Sequence, residues 1–514
     1  MIVPPSAFLL DERVFMNLGI LKVAACLESA GYTVEMIDAT GIENYLDVVE
    51  IHVRTTTARA VALTTTTPQL PAAVQIAERV RAIRPDLRII LGGPHVTLVH
   101  SAVKLERKLG RVARAHAALA NLQRIFDVLV SGDGEFAIFE ALEPDAPKLI
   151  DADEPKGGLF MDNRAYDESP YPARHLVDVD SYHYTIEGRR ATSLIAQLGC
   201  PFGCAFCGGR NSKSLRVIRT RTSRSIVDEL ERLHTEYGFL GYMFYDDELN
   251  VSPSLVELMN GISDLQARRG VDFRLRGFVK AELFNDEQAE AMYRAGFRWL
   301  LCGFEAASPS ILTSINKRAT LDDNNRVMEI ARRHNLKVKA LMSIGHAGES
   351  EESVGAVRDW LLSARPDDFD CTIITTYPGT PYYDEAVPHA TEPGVWTYGC
   401  KRTGARLHAY DLDFTRVAEY YKGAPDGGYR AYVFTDHLSS DELVRLRDGV
   451  ERDVREKLGI PFNSSAAAIR YEHSMGQSGP AASLPSFILR SSTQTAPVDA
   501  TGARASARVS FDPQ

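Results

Sequence analysis

Three cysteines within eight residues, Cys200, Cys204 and Cys207, are the side chains best placed for chemistry in this 514-residue chain. They sit in Leu198-Gly199-Cys200-Pro201-Phe202-Gly203-Cys204-Ala205-Phe206-Cys207, a loop bearing glycine and proline. Such a loop can wrap three thiolates around one face of a cuboidal iron–sulfur cluster. Clusters of this kind are normally held by four thiolates. With three, one iron keeps an open position for a bidentate ligand, such as the amine and carboxylate of S-adenosylmethionine (SAM). The competing zinc knuckle needs a fourth Cys or His, and His175 and His183 upstream lack zinc-like spacing. Cys26 falls inside an apolar helix face, and Cys302, Cys371 and Cys400 are scattered. Seven sparse cysteines therefore support neither a disulfide framework nor an auxiliary cluster, and they suit a reducing cytosol.

The elements that must position this loop alternate between strand and helix. From about residue 192, candidate strands cover 192–198, 241–245, 272–276, 298–304, 337–344 and 369–375, with helical patterns between most neighbours. Six βα units predict a partial TIM-type barrel with its site at the C-terminal strand ends. Residues 1–145 show a separate alternation that predicts a doubly wound parallel sheet, with a last strand near 126–130. Residues 146–190, rich in Asp, Pro, Gly and Tyr, read as a linker. The barrel is placed at 191–385 and a small α-rich C-terminal segment at 386–475, where Ser439 and Glu442 form a capping box. Residues 476–514, rich in Ser, Ala, Thr, Gly and Pro, read as a disordered tail.

Bulk properties narrow the function. The formal net charge is -10, and no block of five or six Lys/Arg occurs, which disfavours a nucleic-acid substrate. No apolar run reaches the length of a membrane span. Met1 to Leu10 lacks a basic start and contains Pro4 and Pro5, so it reads as a first strand and not as a signal peptide. The expected compartment is the cytoplasm.

The Cys-x3-Cys-x2-Cys spacing, with Phe206 before the last Cys, resembles the signature of the radical SAM superfamily. The resemblance covers roughly residues 190–385. It implies a [4Fe-4S] cluster on Cys200, Cys204 and Cys207, and SAM contacts from Phe206, from Asp246, Asp247 and Glu248 after the second strand, from Glu305 after the fourth, and from Ser343 and Gly345 after the fifth. Arg276 is a candidate carboxylate clamp. The loop Gly345-His346-Ala347-Gly348-Glu349 departs from the related pattern, which usually has Pro at the Ala347 position.

The first 145 residues resemble the cobalamin-binding domain that precedes the barrel in one large radical SAM class. The matching segments are Pro4-Pro5, Leu18-Gly19, Thr64, Thr65, Thr66 and Thr67, Gly92-Gly93-Pro94-His95, and Gly132-Asp133-Gly134-Glu135. Small residues and hydroxyls at strand ends suit a long nucleotide tail that approaches the backbone closely. There is no Asp-x-His-x-x-Gly, so no histidine is set to ligate cobalt, and His95 reads as a turn residue near the ligand.

Together the resemblances imply a cobalamin-dependent methyltransferase. A 5'-deoxyadenosyl radical would activate an unactivated carbon (or phosphorus) of a small molecule, methylcobalamin would deliver the methyl group, and flavodoxin or ferredoxin would supply electrons. The alternatives are a non-methylating radical reaction (cyclisation, ring rearrangement or aminocarboxypropyl transfer), with or without cobalamin, and a sensor without turnover. Methylthiolating relatives carry extra N-terminal cysteines, whereas only Cys26 precedes Cys200 here. Tyr420, Tyr421, Tyr429 and Tyr432 are candidates for shaping a substrate pocket.

Overall fold

The computed structural model describes residues 1–6, 12–42, 44–417, 428–461 and 487–493. Six short strands form the first sheet: β1 (Ile2–Val3), β2 (Glu35–Asp38), β3 (Ala60–Thr64), β4 (Arg88–Gly92), β5 (Val128–Gly132) and β6 (Leu149–Ala152). They run parallel in the order β2-β1-β3-β4-β5-β6. Successive side chains of a strand point to opposite faces. Ile89 and Leu91 of β4 accordingly join Val49, Ile76, Val99 and Leu122 from helices Tyr45–Thr55, Leu70–Ile83, Pro94–Lys108 and Arg114–Ile125. Ile90 between them joins Leu21, Ala25 and Ala137 from helices Leu18–Ser29 and Gly134–Leu142 on the other face. The expected doubly wound sheet is thus present.

Two of its boundaries differ from expectation. The linker was expected from residue 146, yet Leu149–Ala152 is a sixth strand beside β5. Its signal was weak because only Leu149 and Ile150 are apolar before Asp151. The residues 476–514, expected as a tail, include β20 (Leu489–Ser491), antiparallel to β2. Phe487, Ile488 and Leu489 are an apolar island that is buried there, on an edge of β2 otherwise left open. Residues 476–486 and 494–514 lie outside the described residues.

The second sheet begins with β7 (Thr185–Ile186), antiparallel to β8 (Arg189–Leu194). A small ribbon follows, β9 (Gln197–Leu198) with β10 (Arg219–Thr220). Then β11 (Gly241–Phe244), β12 (Arg274–Phe278), β13 (Phe297–Glu305), β14 (Lys337–Ile344) and β15 (Asp368–Ile373) extend the sheet from β8, all parallel. This is the expected six-stranded partial barrel. Tyr242, Leu275, Leu300, Ala340 and Met342 face the surrounding helices, while Met243 and Leu301 fill the concave side.

Among the described residues the partial barrel leaves the outer edge of β15 without a strand partner. Side chains complete it instead. The Cys371 N–H donates to Glu451 Oε1 (2.8 Å), and the Ile373 N–H donates to the Tyr429 hydroxyl (2.9 Å). Arg447 Nε donates to the Cys371 carbonyl (2.8 Å), and Arg455 Nη2 to that of Phe369 (2.6 Å). Glu451, Arg447 and Arg455 come from helix Ser440–Leu458, opened by the expected Ser439/Glu442 capping box and closed by Gly459 in left-handed backbone. Before that helix stands an antiparallel sheet of β16 (Val387–Pro388), β17 (Val395–Gly399), β18 (Arg406–Tyr410) and β19 (Val433–Thr435). The α-rich expectation for 386–475 is corrected on this point. The strands are short and half-exposed, so their alternation is faint. Among the described residues no helix is long and apolar enough to cross a membrane.

Candidate functional site

The C-terminal strand ends of both sheets face one cavity of about 970 Å³. That is the upper end of the range for small-molecule sites. Thr64, Thr66, Gly92, Gly93, Gly132 and Gly134 line it from the first sheet, and Phe206, Asp247, Glu305, Ser343 and Ile374 line it from the barrel. The buried Asp133–Arg219 ion pair (2.5 Å) joins the two halves, and the Met161 N–H also donates to Asp133 (2.8 Å).

The cysteine loop leaves the barrel at β9. Gly199 turns it in left-handed backbone (φ 86°), where a Cβ would collide with the Val217 carbonyl. Surrounding elements then hold the loop by its backbone. The Cys200 N–H donates to the Leu215 carbonyl (3.1 Å), and the Ala205 N–H to that of Ile315 (2.8 Å). Asn316 donates to the Gly203 carbonyl (2.7 Å), Arg216 to that of Pro201 (2.7 Å), and Arg210 to those of Cys200 and Phe202. All three cysteines are free thiols. Burial pushes the Cys207 thiol up to about 12, partly offset by the Arg210 guanidinium. Among the described residues no group of three or more His, Cys, Asp or Glu converges on a single metal ion. A cuboidal cluster needs no such convergence, because each thiolate takes a different iron. The donor set fits a three-thiolate cluster, and among the described residues a zinc knuckle finds no fourth ligand.

The expected SAM contacts divide. Phe206, Asp247, Glu305 and Ser343 line the cavity. Asp247 reaches its opening, and enclosure by protein raises its carboxyl above the usual range. Glu248 is half-buried toward Lys280 and Lys317, and burial pushes it up to about 7. Glu248 and three further expected residues, Asp246, Arg276 and Gly345, do not line the cavity. Asp246 is turned away and accepts the Ala196 and Gln197 N–H groups (3.1 and 2.5 Å), so it braces the bend that leads into the cysteine loop. Arg276 lies outside the cavity lining, 5.6 Å from the Trp299 ring. Gly345 is buried beneath Ile373 and Val433.

Glu305 has left-handed backbone (φ 67°), a conformation that costs a non-glycine residue about 1 kcal/mol or more. It falls at a break in the β13–β14 register. Lys317 Nζ lies 3.3 Å from its Oε1, and Ser343 Oγ donates to its Oε2 (2.8 Å). A Cβ on Gly303 would stand 2.6 Å from that carboxylate, so the preceding glycine makes room for it.

On the first sheet's side, Gly93 (φ 97°) brings its turn so close to Thr64 and Thr65 that a Cβ would lie 2.7 Å from each. Gly132 (φ 95°) packs flush against the Ala152 backbone, and its N–H donates to Thr97 Oγ1 (2.9 Å). Gly92, Pro94, Asp133 and Glu135 complete the lining among the expected residues, and burial pushes Glu135 up to about 7. This backbone-rich wall fits a large ligand with an extended tail. Thr65, Thr67 and His95 do not line it: Thr65 is fully buried, and Thr67 Oγ1 lies 3.1 Å from His95 Nδ1 in a closed contact. Burial lowers His95 to about 4.

Sequence reasoning missed several wall residues. Glu12, Phe15, Met16 and Asn17 come from the segment before helix Leu18–Ser29, and Ile374 from the stretch after β15. Lys317 and Arg219 were also missed, since an isolated basic residue carries no local signal. Tyr429 lines the cavity, Tyr432 does not, and Tyr420 and Tyr421 lie outside the described residues.

A profile of the radical SAM superfamily matches residues 194–361, and one of the B12 binding domain matches residues 12–122. The chain is 27% identical over 328 residues to an uncharacterized methyltransferase of Pyrococcus horikoshii, covering 64% of this chain and 69% of that one. It is 26% identical over 393 residues to the anaerobic magnesium-protoporphyrin IX monomethyl ester cyclase of Cereibacter sphaeroides, covering 71% of this chain and 59% of the relative. Its fold resembles that of the radical SAM methyltransferase TsrM from Kitasatospora setae, solved with cobalamin and a [4Fe-4S] cluster. The TM-score is 0.61 at 18% identity, covering 89% of this chain and 90% of that one.

Proposed function

We propose, for a chain that belongs to the radical SAM superfamily and carries a B12-binding domain ahead of its barrel, a methyltransferase acting on a small molecule in the cavity between the two. One observation carries the reading: a single cavity is walled by both domains, with the three-cysteine loop beside it. The cluster, SAM and cobalamin, when bound, supply radical generation and methyl transfer.

The chain's own residues bind, orient and exclude water. Cys200, Cys204 and Cys207 would hold the cluster. Asp247 and Glu305 would present carboxylates to the amine and hydroxyl donors of SAM, with the Ser343 hydroxyl donating to Glu305 from behind. Phe206 supplies an apolar face beside them. The turns at Gly92-Gly93 and Gly132-Asp133-Gly134 let the cobalamin tail approach the backbone, with Thr64 and Thr66 as hydroxyl partners. Apolar Val3, Val14, Ile138 and Ile374 keep the space between the walls dry. A cytoplasmic setting and an external flavodoxin or ferredoxin complete the proposal.

The test is anaerobic reconstitution followed by iron and corrinoid analysis, then incubation of candidate substrates with CD3-labelled SAM. About four irons and one cobalt per chain, with a labelled methyl group in the product, are expected. Iron without corrinoid, even after added cobalamin, would overturn the methyltransferase. A product that gains no CD3 would favour the cyclase-type reaction suggested by the Cereibacter relative.

A further inference from the structure

The loop Gly345-His346-Ala347-Gly348-Glu349 departs from the related pattern, and its histidine is fully buried directly behind the cavity wall. Resting on the reading of that wall as a SAM site, we infer that His346 is a positioning residue that fixes the Glu305 carboxylate through Ser343. Four side chains form one line. Ser343 Oγ lies 2.8 Å from Glu305 Oε2, His346 Nε2 lies 2.9 Å from Ser343 Oγ, and the Tyr382 hydroxyl lies 3.2 Å from His346 Nδ1. Their directions are forced. A carboxylate only accepts, so the Ser343 hydroxyl donates to Glu305 and must accept from His346. His346 therefore carries its proton on Nε2, and its bare Nδ1 accepts from Tyr382.

Every member behind Glu305 is enclosed: Ser343 is 6% exposed, His346 0% and Tyr382 1%. The Phe206 ring, next to Cys207, lies 5.4 Å from the imidazole and closes its remaining side. Lys317 holds the other carboxylate oxygen. Glu305, in strained backbone at a register break, is thereby held from both oxygens and keeps its cavity-facing side for a ligand N–H or O–H. The line is not a proton relay. Burial lowers His346 to about 3 and raises Tyr382 well above 10, so both remain neutral across the physiological range. The charged and titratable neighbours are Glu305 and Lys317 at one end and Glu349, Tyr398 and Cys400 at the other.

The test uses the full-length reconstituted protein and SAM itself. Equilibrium dialysis gives the SAM affinity of wild type, His346→Leu, His346→Gln, Ser343→Ala and the Ser343→Ala/His346→Leu double variant, with iron content as the control. His346→Leu and Ser343→Ala should each weaken SAM about tenfold, the double variant should be no worse than either, and His346→Gln, whose amide both donates and accepts, should recover most of the loss. Nitrogen-15 spectra of histidine-labelled protein at pH 6 should show a neutral ring protonated on Nε2 that is present in wild type and missing from His346→Gln. Unchanged affinity in His346→Leu with iron retained, additive losses in the double variant, or the other tautomer would overturn the inference. If His346→Leu loses its iron, the glutamine variant and the spectrum still decide. Wild type with a full cluster and no SAM binding would instead overturn the site reading beneath it.

Discussion

The two walls of the cavity solve the same problem by opposite means. On the first sheet, strand ends meet the cavity as backbone. Gly92, Gly93, Gly132 and Gly134 line it, and the ordered charge there, Asp133, is consumed by Arg219. On the barrel, strand ends meet it as side chains, with Asp247 and Glu305 in front and Ser343, Lys317 and His346 behind. A backbone wall depends on what is missing, since a Cβ would close it. A side-chain wall depends on what is aimed, since each group needs a support at its back. The first kind accommodates length and shape, and the second recognises charge.

That contrast can be broken experimentally. The largest expected effect is on the barrel side: Cys200→Ala, Cys204→Ala or Cys207→Ala should drop bound iron from about four to below one, with corrinoid uptake intact. Loss of both together would show the walls to be one unit. Next is Gly132→Val, which forces a branched residue into φ 95° against the Ala152 backbone. It should cost about 3 kcal/mol of stability and most corrinoid binding while iron is retained, as read by thermal melting and absorbance.

Glu305 sharpens the comparison because it combines both demands. Glu305→Gly should relieve left-handed strain but leave the buried Lys317 ammonium without its carboxylate, so stability should fall by about 1–3 kcal/mol and SAM binding should weaken at least tenfold. A gain in both would remove Glu305 from the recognition side. The smallest effect concerns pH. Burial pushes Glu12 and Glu135 up to about 7, above their unfolded value. Each therefore contributes stability that is complete below about pH 4.5 and is lost as pH rises through 7. Melting temperatures of the Glu12→Gln/Glu135→Gln variant should fall less between pH 5 and 8 than those of wild type, by a few degrees.

The same contrast explains what was legible in the sequence. The cysteine loop and the glycine turns were readable because their function lies in local spacing and in the few residues that tolerate such backbone. All six barrel strands were recognisable from apolar runs between helical patterns, and β14 (Lys337–Ile344) coincides with its expected bounds. What stayed hidden is direction. Asp246 and Asp247 are neighbours of one type, but one braces Ala196 and Gln197 while the other faces the cavity. Arg276 looked like a clamp, and strand alternation places it on the concave side beside Trp299. The partners of Glu305 come from residues 12 and 38 positions away, so only folding brings them together. The C-terminal sheet escaped notice because short, half-exposed strands barely alternate.

The finish of β15 has a consequence for how this protein can change. A seam of ladder hydrogen bonds moves only in steps of register, and one slip reverses every side chain it carries. Here the seam is stitched by Glu451, Arg447, Arg455 and Tyr429, one bond at a time. Arg447, Glu451 and Tyr429 are buried, so losing any one of them leaves a backbone group of β15 or a charge of the helix unpaired, and strand and helix must change together. Of the four, only Tyr429 also lines the cavity, so the C-terminal helix braces the last barrel strand from behind while Tyr429 ties that brace to the site.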